Sequence, residues 1–153
     1  MTPKFSIRPL EERDLDRVAS LAALLWVPSK PEVNRRHFAE HIGRPEAGST
    51  WVALAGECII GFADCRLRRD YVEGCETSPI AYLEDIYVEP EWRGLGIAAA
   101  LVRACEAWAR ECGSLEFASD TDLGNLSSQA FHHALGFTEA ARIVHYKKRL
   151  DIS

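Results

Sequence analysis

No apolar run in this 153-residue chain approaches the roughly 20 residues needed to cross a bilayer, so no membrane partner is expected. The opening Met1-Thr2-Pro3-Lys4-Phe5 lacks the apolar core of a secretory signal, and the chain is expected in the cytosol. Basic residues give no excess: 18 Lys and Arg stand against 23 Asp and Glu, for a net charge of −5. That balance argues against nucleic acid, whose binders carry a basic face, and suits a cationic substrate drawn to an acidic cleft. No two of the five cysteines (Cys58, Cys65, Cys75, Cys105 and Cys112) form a CxxC pair, and their number is odd. They read as free thiols of a reducing compartment, mostly buried as small hydrophobes. Neither a Gly-Lys-Ser/Thr Walker loop nor a full GxGxxG fingerprint is present. Internal repeats, linkers and breaks of composition are also missing, so residues 1–153 are expected to form one domain.

What is present is an alternation of strand-like and helix-like segments, the mark of an α/β fold. Phe5 to Pro9 alternates as a short strand. Leu15, Val18, Leu21, Ala22 and Leu25 form a helical stripe within 11–25, and a weaker helix is expected over Pro31–Ile42. Ser49–Ala55 and Cys58–Arg68 read as antiparallel strands joined at Gly56-Glu57. A loop over 70–79 precedes a strand over Ile80–Val88. The longest helix is expected from Gly94 to Cys112, followed by a strand at Ser114–Ser119, a helix at Ser127–Leu135 and a closing strand at Arg142–Arg149.

The stretch from Leu83 to Ala98, Leu-Glu-Asp-Ile-Tyr-Val-Glu-Pro-Glu-Trp-Arg-Gly-Leu-Gly-Ile-Ala, carries the most chemistry. A strand leads through a proline turn into a helix whose first residues are small. Glycines there let the backbone approach a ligand, and the N–H groups at a helix start favour phosphate. Arg93 adds a charged donor. Gly-x-Gly by itself also describes a plain tight turn. The wider pattern resembles the GNAT acetyltransferase superfamily, whose signature Arg/Gln-x-x-Gly-x-Gly/Ala is matched by Arg93, Gly96 and Ala98. The resemblance implies the GNAT fold, a mixed and mostly antiparallel sheet flanked by helices, with acetyl-CoA as cosubstrate and no metal. It further implies that Arg93, Gly94, Leu95, Gly96, Ile97 and Ala98 hold the coenzyme's pyrophosphate, and that the backbone of Ile86, Tyr87 and Val88 binds its arm and the acetyl carbonyl. A later family segment is matched by Asn125, Ser128, Phe131, His132, Gly136 and Phe137. Asn125 is then a coenzyme contact. His132 stands where many members place a tyrosine that protonates the leaving thiolate, and an imidazole can do the same.

A closer resemblance comes from Arg69-Asp70-Tyr71-Val72-Glu73-Gly74-Cys75, Ser78-Pro79, Leu83-Glu84, Ala118-Ser119-Asp120-Thr121, Ser128-Gln129 and Ala134-Leu135-Gly136-Phe137. Together these are similar to the short aminoglycoside 6′-N-acetyltransferases. The resemblance implies an aminoglycoside acceptor, with Glu84 and Asp120 holding the ammonium and taking its proton, and with Trp26 and Tyr71 lining the sugar pocket. It also implies a homodimer built through the last strands, where Ile143, Val144 and Tyr146 could pair. Ala140-Ala141 stands where the family often has a further acid, with Glu139 beside it.

Three other readings compete. His37-Phe38-Ala39-Glu40-His41 matches H-x-x-E-H, which on a helix places two imidazoles on one face as in zinc hydrolases. A third ligand is not evident, and a short polar helix face explains the residues more simply. The chain could instead acetylate another amine, such as a polyamine or a protein N-terminus, or bind acetyl-CoA without catalysis.

Overall fold

The computed structural model describes residues 4–151, which form two compact units, one running through Asp120 and the other from Thr121 onward. The first unit is built on a five-stranded sheet in the order β1 (Ser6–Pro9), β2 (Gly48–Ala55), β3 (Cys58–Arg68), β4 (Ile80–Val88) and β5 (Phe117–Ser119). Neighbours from β1 to β4 pair antiparallel and β5 joins β4 in parallel, so the sheet is mixed and mostly antiparallel, as expected. Its helices are α1 (Leu15–Ala22), α2 (Pro31–Ile42) and α3 (Ile97–Glu111).

Side-chain alternation along the strands sorts the helices onto two faces. Val52 and Phe62, opposite one another in register, turn toward α1 and α2 and join Leu15, Val18, Leu21 and Phe38 in one apolar cluster. Their neighbours Ala53, Ala63 and Cys65 turn the other way, where small side chains let α3 lie close, with Cys65 against Cys105. On α3 the buried set Ile97, Leu101, Val102, Cys105, Trp108 and Ala109 recurs at helical spacing.

Several boundaries differ from those read in the sequence. α3 starts at Ile97 rather than Gly94, because Gly94 and Gly96 hold φ of +79° and +85°, which no right-handed helix contains. β5 shrinks to three residues. Only Cys65 and Cys105 among the five thiols are fully buried; Cys58 is exposed.

The second unit contains α4 (Leu126–Ala134). Asn125 caps it, its Oδ1 accepting the N–H of Ser128 at 3.1 Å. The closing strand expected at Arg142–Arg149 does not form. Ile143, Val144 and Tyr146 are 59, 71 and 91% exposed, so the apolar residues that favour a strand there are not buried. Among the described residues no helix is long and apolar enough to cross a membrane.

Candidate active site

The site follows from two irregularities in β4. β5 pairs only with Ala81, Tyr82 and Leu83, so among the described residues β4 has no strand on its other edge from Glu84 to Val88. The Ser119 hydroxyl donates to the Leu83 carbonyl at 3.3 Å, closing the paired part, and Asp120 follows where the strands part. On the β3 side, Leu83 stands opposite Cys65 and Asp85 opposite Asp64, which leaves Glu84 as the extra residue of a bulge. In a regular strand Glu84 and Asp85 would point to opposite faces. The bulge resets the phase, and both carboxylates line one open cleft of about 610 Å³ with His37, Arg66, Arg68 and Tyr71.

Each acid in this region has a different partner. Glu84 is gripped by Arg68, whose Nη2 lies 2.8 and 3.0 Å from the two carboxylate oxygens and whose Nε lies 3.2 Å from Oε1. The same guanidinium sits 3.5 Å above the centre of the Tyr82 ring. The Tyr82 hydroxyl donates to Asp120, and burial, followed by the hydrogen bond to that carboxylate, drives the phenol well above its ordinary pKa. Asp85 accepts the indole N–H of Trp26 at 2.8 Å. Burial pushes its carboxyl up to about 6; the Trp26 hydrogen bond pulls down, while the charges of Asp64 and Glu84 push further up. Trp26 itself stacks on Phe38, with ring centres 5.7 Å apart, and meets His37 edge-on. It therefore reaches the cleft through Asp85. Tyr71 lies on the cleft wall, 79% exposed.

Behind the cleft lies Asp64, fully buried. The two histidines of the H-x-x-E-H motif converge on it: His37 Nε2 is 2.8 Å from Oδ2 and His41 Nδ1 is 2.9 Å from Oδ1. Thr50 donates its hydroxyl to Oδ1 at 2.8 Å. Arg66, which can only donate, reaches His37 Nδ1 at 2.9 Å, so His37 carries its proton on Nε2 and gives it to Asp64. Burial works to raise the Asp64 pKa, and the hydrogen bonds from His37 and His41 outweigh it, leaving the carboxyl below the usual range. The two histidines thus form a clamp on a buried carboxylate rather than a polar surface face. Among the described residues no group of three or more His, Cys, Asp and Glu side chains could hold a metal ion.

At the far end of β4 the chain turns through Pro90–Trp92 into α3. The Arg93 Nε–H donates to the Val88 carbonyl at 2.7 Å and ties the turn to the strand. The first helical bond runs from Ala100 to the Gly96 carbonyl, so the N–H groups of Ile97, Ala98 and Ala99 precede the ladder, with no side-chain cap and no acid in the first turn. A Cβ at Gly94 or Gly96 would meet no atom within 4 Å, so space lies open above the turn around Leu95. Uncapped N–H groups beneath open space fit a pyrophosphate.

In the second unit, Asn125 serves as the cap described above, and His132 directs Nδ1 at the Ser128 carbonyl, 2.7 Å away. A carbonyl only accepts, so Nδ1 carries a proton. The ring lies edge-on to Phe131 and Phe137, at 5.6 and 5.1 Å.

Asp85, Arg68 and Tyr82 are the site residues that sequence reading missed. The adjacent acids Glu84-Asp85 were visible, but strand alternation assigns them to opposite faces, and only the register with β3 reveals the bulge.

An open strand edge running into an uncapped helix start, beside a carboxylate cleft, is an arrangement for transferring an acyl group from a phosphate-bearing carrier to a cationic amine. The chain belongs to the Acetyltransferase (GNAT) family, whose profile matches residues 15–137. It is 41% identical over 137 residues to the aminoglycoside N(6′)-acetyltransferase type 1 of Serratia marcescens, covering 90% of this chain and 94% of that protein. The structure of AAC(6′)-Iy with the bisubstrate analog CoA-S-monomethyl-acetylneamine has a TM-score of 0.89 and 36% identity, covering 96% of this chain and 99% of that one. The aminoglycoside 6′-N-acetyltransferase AAC(6′)-Ih from Acinetobacter baumannii gives 0.88 and 37%, covering 97 and 100%.

Proposed function

We propose that this chain transfers the acetyl group of acetyl-CoA to the 6′-amino group of aminoglycoside antibiotics by direct attack in a ternary complex, and so confers resistance. The observation that carries the reading is the cleft at the β4 bulge. Two adjacent carboxylates face one opening, with Asp120 at the mouth of the strand splay, a setting for a polycationic amine.

The turn from Arg93 to Ala98 holds the pyrophosphate on its N–H groups, and the open backbone edge of Ile86, Tyr87 and Val88 pairs with the coenzyme arm. The acetyl group arrives as a thioester, and the Val88 N–H polarises its carbonyl. Glu84, Asp85 and Asp120 hold the substrate's ammonium groups. Asp85 is suited to accept the proton of the reacting one, because burial has brought its pKa near working pH. The freed amine attacks the carbonyl carbon, the carbon–sulfur bond breaks, and the thiolate takes a proton from His132. The Asn125 carbonyl is committed to its helix, which leaves the amide NH₂ for the coenzyme. Trp26 orients Asp85, and Tyr71 lines the sugar pocket.

The whole chain acts as one acetyltransferase domain, a reading supported by the family match across 15–137. It works as a homodimer through its exposed C-terminal segment, with Ile143, Val144 and Tyr146 as the apolar contacts. Its use of acetyl-CoA and its unpaired cysteines favour the cytoplasm.

Thiol release from acetyl-CoA tests the reading, comparing kanamycin with its 6′-hydroxyl analogue and with spermidine. Release with the 6′-amino compound alone is expected. Release with spermidine alone, or with none of them, would overturn the acceptor. Asp120→Ala is expected to cut turnover about 10²-fold while acetyl-CoA affinity stays near that of the parent.

A further inference from the structure

A cleft that takes a polycation is an unexpected place for arginines, yet Arg66, Arg68 and Arg69 all line this one. Arg66 is accounted for by the His37 nitrogen it reaches behind the cleft. Arg68 is different. Its guanidinium makes three hydrogen bonds to Glu84, covers the Tyr82 ring at 3.5 Å, and among the described residues pairs with no other acid. Through Tyr82, whose hydroxyl is bound to Asp120, it also lies one side chain from the second carboxylate. Arg68 therefore makes the contacts that a substrate ammonium requires: a carboxylate and an aromatic face. It is also placed to leave. As the last residue of β3 its side chain is 42% exposed, whereas the Glu84 side chain it covers is only 21% exposed.

We propose that Arg68 is a built-in counter-cation for Glu84, displaced by an ammonium group of the incoming aminoglycoside. The proposal rests on the acceptor reading above and adds a determinant of affinity and selectivity to it. Binding is then an exchange of one cation for another on the same carboxylate. A singly charged amine gains too little elsewhere to drive the exchange, whereas a polyamine sugar recovers the loss at Asp85 and Asp120. A partly exposed ion pair of this kind is weak, so the competition weakens substrate binding several-fold rather than by orders of magnitude.

Calorimetric titration of the full chain with kanamycin at low salt tests this. Arg68→Gln is expected to bind about fivefold more tightly than the parent. Removing any positive charge from the cleft strengthens cation binding somewhat, so Arg69→Gln is the control. Arg69 lines the same wall but forms no ion pair with Glu84. Its gain is expected to stay below about twofold. In a Glu84→Gln background the gain from Arg68→Gln should vanish, because the contested carboxylate is gone. Should the glutamine variant unfold, Arg68→Lys keeps the charge but loses the two-pronged grip, and a gain of about twofold is expected. A gain at Arg68 no larger than at Arg69, or weaker binding, would overturn the proposal and make Arg68 a support for Glu84. Absence of kanamycin binding in the parent itself would overturn the acceptor reading, and the proposal with it.

Discussion

Asp64 and Asp85 face each other across β3 and β4, one behind the cleft and one within it, yet their environments drive them in opposite directions. Asp64 is fully buried, accepts from two histidines and a threonine, and is held ionised below the ordinary carboxylate range. Asp85 has one hydrogen-bond donor, Trp26, and two acidic neighbours, and is pushed up to about 6. The difference shows that burial alone does not set a carboxylate's chemistry; the number of donors aimed at it does. A saturated carboxylate is a structural anchor. An under-supplied one is ready to take a proton.

The largest effect expected of breaking this contrast is on stability. Asp64→Ala strands His37, His41 and Thr50 without their common acceptor, and should cost about 3–5 kcal/mol in denaturant unfolding. Asp85→Ala, on the same measurement, should cause no comparable loss, because ionising Asp85 opposes folding. Equal losses would erase the distinction drawn between the two. Next in size, Asp85→Asn should lower kcat/KM for a 6′-amino aminoglycoside about 10²-fold, with coenzyme binding preserved.

A smaller effect concerns stability against pH, and its sign differs for the two groups. Asp85 binds its proton more tightly when folded than unfolded, so ionising it opposes folding. Its contribution makes stability fall as pH rises from about 4 to about 6, and Asp85→Asn should remove that fall. Asp64 is lowered on folding, so its contribution is present above the unfolded value near 4 and is lost as pH drops below it. The smallest effect is expected at Trp26. Its N–H favours the ionised Asp85, so Trp26→Phe should move the Asp85 titration upward by about half a pH unit. A downward move would mean that the indole acts on Asp85 through burial instead.

The two halves of the site were unequally legible in the sequence. The turn into α3 is made of backbone, and its requirements show in residue type: Gly94 and Gly96 for left-handed turns, small residues after them, and a helix pattern directly after. The cleft at the β4 bulge is made of side chains whose facing depends on strand register, which no local pattern reveals. The resemblance names Glu84, whereas strand alternation would send its neighbour Asp85 to the other face, because the bulge exists only in the pairing with β3. His37 and His41 were visible as a pair at helical spacing, but their partner Asp64 lies more than 20 residues away in the chain, and proximity of that kind is a product of folding. The closing segment failed for the opposite reason. Arg142 to Arg149 carries the β-branched and aromatic residues Ile143, Val144 and Tyr146, but strand-favouring residues form a strand only where pairing receives them, and these residues are exposed.

The most direct test of the account is the pH profile of kcat/KM for kanamycin, from about pH 5 to about pH 9, in the parent chain and in Asp85→Asn. An ionised Asp85 acting as proton acceptor predicts an acid limb in the parent that rises with pH and levels off above about 6, and its loss in the variant. A limb that persists unchanged in Asp85→Asn, at parental rates, would contradict the assignment of the raised carboxylate at the β4 bulge as the group that receives the substrate's proton.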